Sequence, residues 1–108
     1  MYVYNITTNI QEAIETQWLA WMQETHIPAM LATGSFLSAK MCKVLVEEDM
    51  GGVTYSVQYT ANDKETLESY HQTHAMHLKN QANTLFAGQY VYFETELLLV
   101  DEQFASNN

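Results

Sequence analysis

The octapeptide VTYSVQYT at residues 53–60 alternates without a fault, with Val53, Tyr55, Val57 and Tyr59 on one parity and Thr54, Ser56, Gln58 and Thr60 on the other. Strict period-two alternation is the signature of a half-buried β-strand, and an amphipathic helix cannot use it. YVYNITT at 2–8 repeats the pattern, with Tyr2, Tyr4 and Ile6 opposite Val3, Asn5 and Thr7. The period then switches to that of a helix. Asn9 and Glu12 form a capping box, and Ile10, Ile14, Trp18 and Trp21 recur at helical spacing to about Thr25. Pro28 cannot continue a helix without breaking its hydrogen bonds, so this helix is expected to end near His26. A loop through ATGS follows, in which Gly34 is free to take a positive φ.

FLSAKMCKVLVEE at 36–48 reads as a long strand. It is apolar on both parities, with Phe36, Val44 and Val46 on one and Leu37, Met41 and Leu45 on the other. DMGG at 49–52 reads as a tight turn. Asn62 and Glu65 offer a second N-cap pair, and a helix spans about 63–86, closed by Gly88. QYVYFETELLLV at 89–100 is the last strand, and the tail DEQFASNN at 101–108 is expected to fray. The order β-α-β-β-α-β predicts an α+β, ferredoxin-like domain over residues 1–100. Its four-stranded antiparallel sheet carries two helices on one face. The other face is predicted to show Asn5, Thr7, Ser56, Gln58, Tyr92, Glu94 and Glu96, mixed with Tyr90 and Leu98. A strand that is apolar on both sides is usually covered on both sides, and a second copy of the chain is the expected cover.

Charge narrows the partners. The net charge is −9, the four basic residues (Lys40, Lys43, Lys64 and Lys79) are all lysines, and there is no arginine. Nucleic acid needs a basic stripe and an anionic membrane needs a basic surface, so neither is an expected partner. The single cysteine, Cys42, cannot close an internal disulfide, and the N-terminus lacks the basic and apolar regions of a signal peptide. The longest aliphatic run, LLLV at 97–100, is far too short to cross a bilayer. A cytoplasmic protein is expected.

The segments HIPAMLATGSF, YSVQYT and YHQTHAMHL, in this order of elements, resemble the short bacterial family catalogued as domain of unknown function 4286. The resemblance covers about residues 1–100. It implies a dimeric α/β barrel, in which two ferredoxin-like sheets face each other, and it carries no catalytic residues with it. The wider superfamily includes cofactor-free monooxygenases, isomerases and haem-degrading enzymes, an analogy at the level of fold alone.

Thr25-His26 and Thr73-His74 echo each other half a chain apart. On a helical wheel His74 falls about 20° from the centre of the stripe of Leu67, Tyr70, Leu78 and Leu85, facing the sheet. It reads first as a hydrogen-bonded core histidine and second as a general base or ligand anchor in a cleft under the helix. His26, at the end of the first helix, reads first as a cationic C-terminal cap and second as a residue at the mouth of the same cleft. Trp18, Trp21, Tyr55, Tyr59 and Tyr70 could wall a pocket for a flat apolar molecule, or could simply be core. His71, His74 and His77 have the wrong step for zinc on one helix and no companion ligand, so no metal is expected, nor a cofactor. Glu94 and Glu96 are neighbours on one strand face, expected to pair with Lys40 or Lys43 across the sheet or the dimer rather than to share a proton. The favoured reading is a non-catalytic homodimeric binding or structural module. The alternative is a cofactor-free, monooxygenase- or isomerase-like enzyme for a small aromatic or quinone-like substrate. His74 or His26 would be its base, with Tyr55, Tyr70, Gln58 and Trp21 around the ligand.

Overall fold

A computed structural model describes residues 1–46 and 51–106. β1 (Tyr2–Ile10), β2 (Ser38–Lys43), β3 (Val53–Ala61) and β4 (Tyr90–Leu98) form one antiparallel sheet in the order β2-β3-β1-β4. β1 is the spine, because each of its nine residues faces a partner in both β3 and β4. The alternation read in β1 and β3 holds. Tyr4, Ile10, Tyr55, Val57 and Tyr59 are buried under the helices, while Asn5, Ser56 and Gln58 lie on the opposite, open face.

The first helical arm differs from the expectation. Asn9 and Ile10 still belong to β1, and Asn9 bonds the Thr54 hydroxyl at 3.1 Å rather than capping a helix. Helical geometry begins with a short 3-10 turn at Glu12–Ile14 and continues as α1 (Glu15–Trp21). It does not stop at His26. Met22–His26 form a wide π turn, in which the Ile27 N–H reaches back to the Met22 carbonyl, and α2 (Ile27–Ala32) follows. Pro28 sits in the first turn of α2, where its missing N–H is tolerated. The wide turn lets the arm pass a proline that an ideal α-helix would not. The arm closes at Gly34, whose φ is +78°.

His26 is therefore no C-terminal cap. Its ring stacks on Trp21 at 4.7 Å inside the arm, and its Nδ1 is buried with no hydrogen-bond partner among the described residues. Burial pulls its pKa from the ordinary 6.5 down to about 4, so it stands neutral.

The second arm is also broken. Asp63, one residue later than expected, caps α3 (Lys64–Thr73) by accepting the Thr66 N–H at 2.8 Å. α4 (Ala75–Phe86) follows after His74, whose φ is −118°. The Thr73 hydroxyl donates to the Ser69 carbonyl at 2.6 Å, a back-bond that bends helices, and the break comes at the next residue. The strand expected at 36–48 is shorter. Phe36 precedes β2 and is buried in the core, while Leu45 and Val46 follow it and are exposed. Glu47 and Glu48 of that strand, and Asp49 and Met50 of the DMGG turn, lie outside the described residues.

The core is unusually aromatic. Tyr4, Phe36, Tyr59 and Tyr70 are mutually packed, with ring centroids 4.9–6.3 Å apart. Tyr70 donates its hydroxyl to the Met30 sulfur at 3.1 Å, which ties the two arms together. α3 packs on β1 and β3, and α2 packs on β2. β4 lies beyond this cover, and most of its residues are exposed on both sides. Among the described residues no helix is long and apolar enough to cross a membrane.

Two outcomes test this description. A Cβ at Gly52 would fall 2.6 Å from Asn9 Oδ1 and from the Ile10 carbonyl, at a φ of +79°. Gly52→Ala should therefore cost about 1–3 kcal/mol of unfolding free energy in urea titration. The His26 shift sets a pH window. Between pH 6.5 and about 4 the unfolded chain binds a proton at His26 that the folded chain refuses. The stability from neutral His26 is complete above 6.5 and falls as pH drops, by up to roughly 3 kcal/mol. Glu15, Asp63 and Glu94, whose values are lowered, add their losses only below the ordinary carboxylate range of 3.8–4.5. Unfolding of His26→Gln, followed across the same interval, should show a much flatter pH dependence than the parent.

Candidate functional site

β4 has its alternation in the sense opposite to that expected. Its pairing with β1 sets Tyr4 against Glu96, Ile6 against Glu94, Thr8 against Tyr92 and Ile10 against Tyr90. Tyr90, Tyr92, Glu94, Glu96 and Leu98 thus lie on the helix side, and Val91, Phe93, Thr95 and Leu97 on the open face. The two glutamates meet the second helical arm rather than Lys40 or Lys43. Lys79 Nζ lies 2.8 Å from Glu94 Oε1, and His71 Nε2 lies 3.5 Å from Glu96 Oε1. Tyr90 donates its hydroxyl to Asn83 Oδ1 at 2.5 Å. Three polar struts tie the edge strand to α3 and α4, with Tyr90 alone among its residues packed on the core cluster.

Between the struts the helix–sheet layer does not close. A half-open cavity of about 70 Å³ remains. Trp18, Trp21, Met22 and Phe86 form its walls, Ile6, Val57 and Tyr59 its floor, and Lys79, Glu94 and Tyr92 stand at the β4 side. Burial alone would raise the Glu94 carboxyl, but the Lys79 ammonium and the neighbouring Tyr4 hydroxyl outweigh it and hold the group below the usual carboxylate value. Burial drives the Tyr4 and Tyr59 hydroxyls above the phenol range. Neither hydroxyl has a hydrogen-bond partner of normal geometry among the described residues.

The residues singled out from sequence do not converge on this space. Trp21 lines it, as do Trp18 and Tyr59. His26 lies against Trp21 but does not line the cavity. His74 is half-buried and stacks on Tyr70 at 6.3 Å, but the break in the second arm turns it away from the sheet. It borders a shallow surface groove with Ala29, Ala32 and Thr33 of the first arm. His71 takes the place expected of His74, packing edge-on against Tyr4 at 5.0 Å. Tyr55 gives its hydroxyl to Glu15 Oε2 at 2.5 Å, beside the Lys43 ammonium at 3.0 Å from the same oxygen. Burial and that carboxylate push Tyr55 up to about 12. Tyr70 is spent on Met30, and Gln58 stands on the other face of the sheet. No three His, Cys, Asp or Glu side chains among the described residues stand close enough to hold a metal ion.

Lys79, Glu94 and Phe86 are among the cavity residues that sequence reasoning missed. For Glu94 the signal was the β4 parity, since a polar residue on an edge strand can face the helices when helix side chains reach out to meet it.

The fold is shared with HapK from Hahella chejuensis, at 10% identity over 99% of this chain and 100% of that one, with a TM-score of 0.72. It is also similar to a dimeric ferredoxin-like protein from an uncultured marine organism (14% identity, 94% of this chain and 97% of that one, TM-score 0.68). A candidate antibiotic biosynthesis monooxygenase from Bacillus cereus is similar as well (12% identity, 96% and 97% coverage, TM-score 0.64). At such identities the likeness is one of fold. No curated protein matches the sequence. A family model does match, over residues 1–100, and on that ground the chain belongs to the family described as Domain of unknown function (DUF4286).

Proposed function

We propose that the protein is a homodimeric binding or structural module, joined through its open sheet faces and without catalysis of its own. One observation carries this reading. On the uncovered face of β4, Val91, Phe93 and Leu97 are 70%, 62% and 41% exposed, in one column along a single strand. The centre of the same face is a polar net, in which Ser56 donates to Asn5 at 2.7 Å and Asn5 donates to Thr7 at 3.1 Å. A two-fold partner presents the same column to itself, so the apolar edge is buried against its own copy. The description of structural neighbours as dimeric ferredoxin-like proteins supports this arrangement. The two-sided strand at 36–48 does not, since its apolar residues lie largely outside β2.

Geometry supports the non-catalytic reading. An enzyme of the cofactor-free kind would need a base facing a substrate space, and neither His26 nor His74 lines the cavity. Glu94 does, but the Lys79 ammonium beside it keeps its carboxyl below the usual carboxylate value, which makes it a weak base. The monooxygenase neighbour supports the fold and leaves the chemistry open. The single cysteine is exposed and fits a reducing, cytoplasmic setting.

Light scattering at micromolar concentration should give twice the chain mass of 12.4 kDa. Phe93→Asp, or Cys42→Asp on the same open face, should shift the mass toward the monomer while leaving far-ultraviolet circular dichroism unchanged. Met41 points to the helices, and a charge there should unfold the chain instead. A parent protein that scatters as a monomer sinks the proposal.

A further inference from the structure

The cavity between the helices and β4 lies on the opposite side of the sheet from the face given to the partner, so what it holds is independent of the dimer. Protein interiors are close-packed, and an unfilled space walled by tryptophan, methionine and phenylalanine is rare. Here the edge strand is held off by its struts at fixed distances, and the side chains do not collapse into the gap. The volume of about 70 Å³ is roughly half of a cavity that takes up benzene. A single ring can therefore enter edge-first, with its far edge left at the opening. At that opening stand the Lys79 ammonium and the Glu94 carboxylate, 2.8 Å apart, with side chains 38% and 29% exposed. Together they present a donor beside an acceptor and carry no net charge. The small group that answers both at once is a hydroxyl, which donates and accepts through one oxygen. A carboxylate would be repelled by Glu94 and an ammonium by Lys79.

We propose that this cavity is a binding site for neutral single-ring phenols. The ring lies over the floor of Ile6, Val57 and Tyr59, beside the packed pair of Trp21 and Phe86 (ring centroids 5.3 Å), and its hydroxyl donates to Glu94 and accepts from Lys79. Both tryptophans of the chain, Trp18 and Trp21, line the space, so their indole N–H signals report directly on occupancy.

The test is a titration of the ¹⁵N-labelled full-length chain with p-cresol, 4-methylanisole and toluene, followed by NMR at the two indole signals. p-Cresol should shift both saturably and bind roughly tenfold more tightly than 4-methylanisole, which loses one hydrogen bond to a charged group, and more tightly still than toluene, which loses both. Ala82→Phe, which fills the cavity from α4, should abolish the shifts with the backbone spectrum otherwise preserved. Should that variant fail to fold, the three-ligand comparison on the parent decides alone. Equal affinity for the three compounds, or indole signals that do not saturate with p-cresol at millimolar concentration, overturns the proposal. Neither outcome touches the dimer, which the scattering mass tests separately.

Discussion

The two helical arms leave β4, the fourth strand of the sheet, with little apolar cover, and much of the architecture follows from that mismatch. The arms lie over β2, β3 and β1, where the aromatic core of Tyr4, Phe36, Tyr59 and Tyr70 fills the layer. β4 completes the sheet by pairing along the whole of β1, yet it gains little apolar cover from either side. Its backbone is satisfied on one edge while its side chains are left at the margin. An edge strand of this length with exposed apolar residues is a surface that natural proteins manage rather than leave bare.

The management differs on the two faces. On the helix side, long polar side chains from α3 and α4 reach out to β4, pairing Lys79 with Glu94, His71 with Glu96 and Asn83 with Tyr90. Partly exposed ion pairs contribute little to stability individually. Their consequence is spacing, because they fix the strand at a distance and leave a cavity lined by both tryptophans. On the open face Val91, Phe93 and Leu97 stand exposed, the column that the proposed dimer would bury.

Much of the fold was legible because the alternation of β1 and β3 has one physical meaning. Tyr55, Val57 and Tyr59 lie where period two puts them, and the order of elements and the glycine at 34 followed by the same logic. What escaped was set by tertiary context. Pro28 reads as a stop until the π turn at Met22–His26 makes room for it. The break between α3 and α4 at His74, beside the Thr73 back-bond, leaves His71 rather than His74 packed on Tyr4. In β4 the rule that polar residues face water failed, because Glu94 and Glu96 meet the Lys79 ammonium and the His71 ring arriving from the helices. The cavity followed that failure out of view: its aromatic walls at Trp18, Trp21 and Tyr59 were foreseeable, whereas Lys79 and Glu94 depended on the strand's register.

Cys42, the only cysteine of the chain, stands exposed on the open face of β2 and offers a direct probe of whether that face is shared. A nitroxide attached there can be followed by pulsed dipolar spectroscopy in frozen solution. Dimers closed face to face bring the two labels to one narrow distance, and dilution with unlabelled chain removes the coupling in proportion. A decay showing only the uniform background of isolated labels, at concentrations where the chain is fully folded, would contradict the closure of the sheet by its own copy.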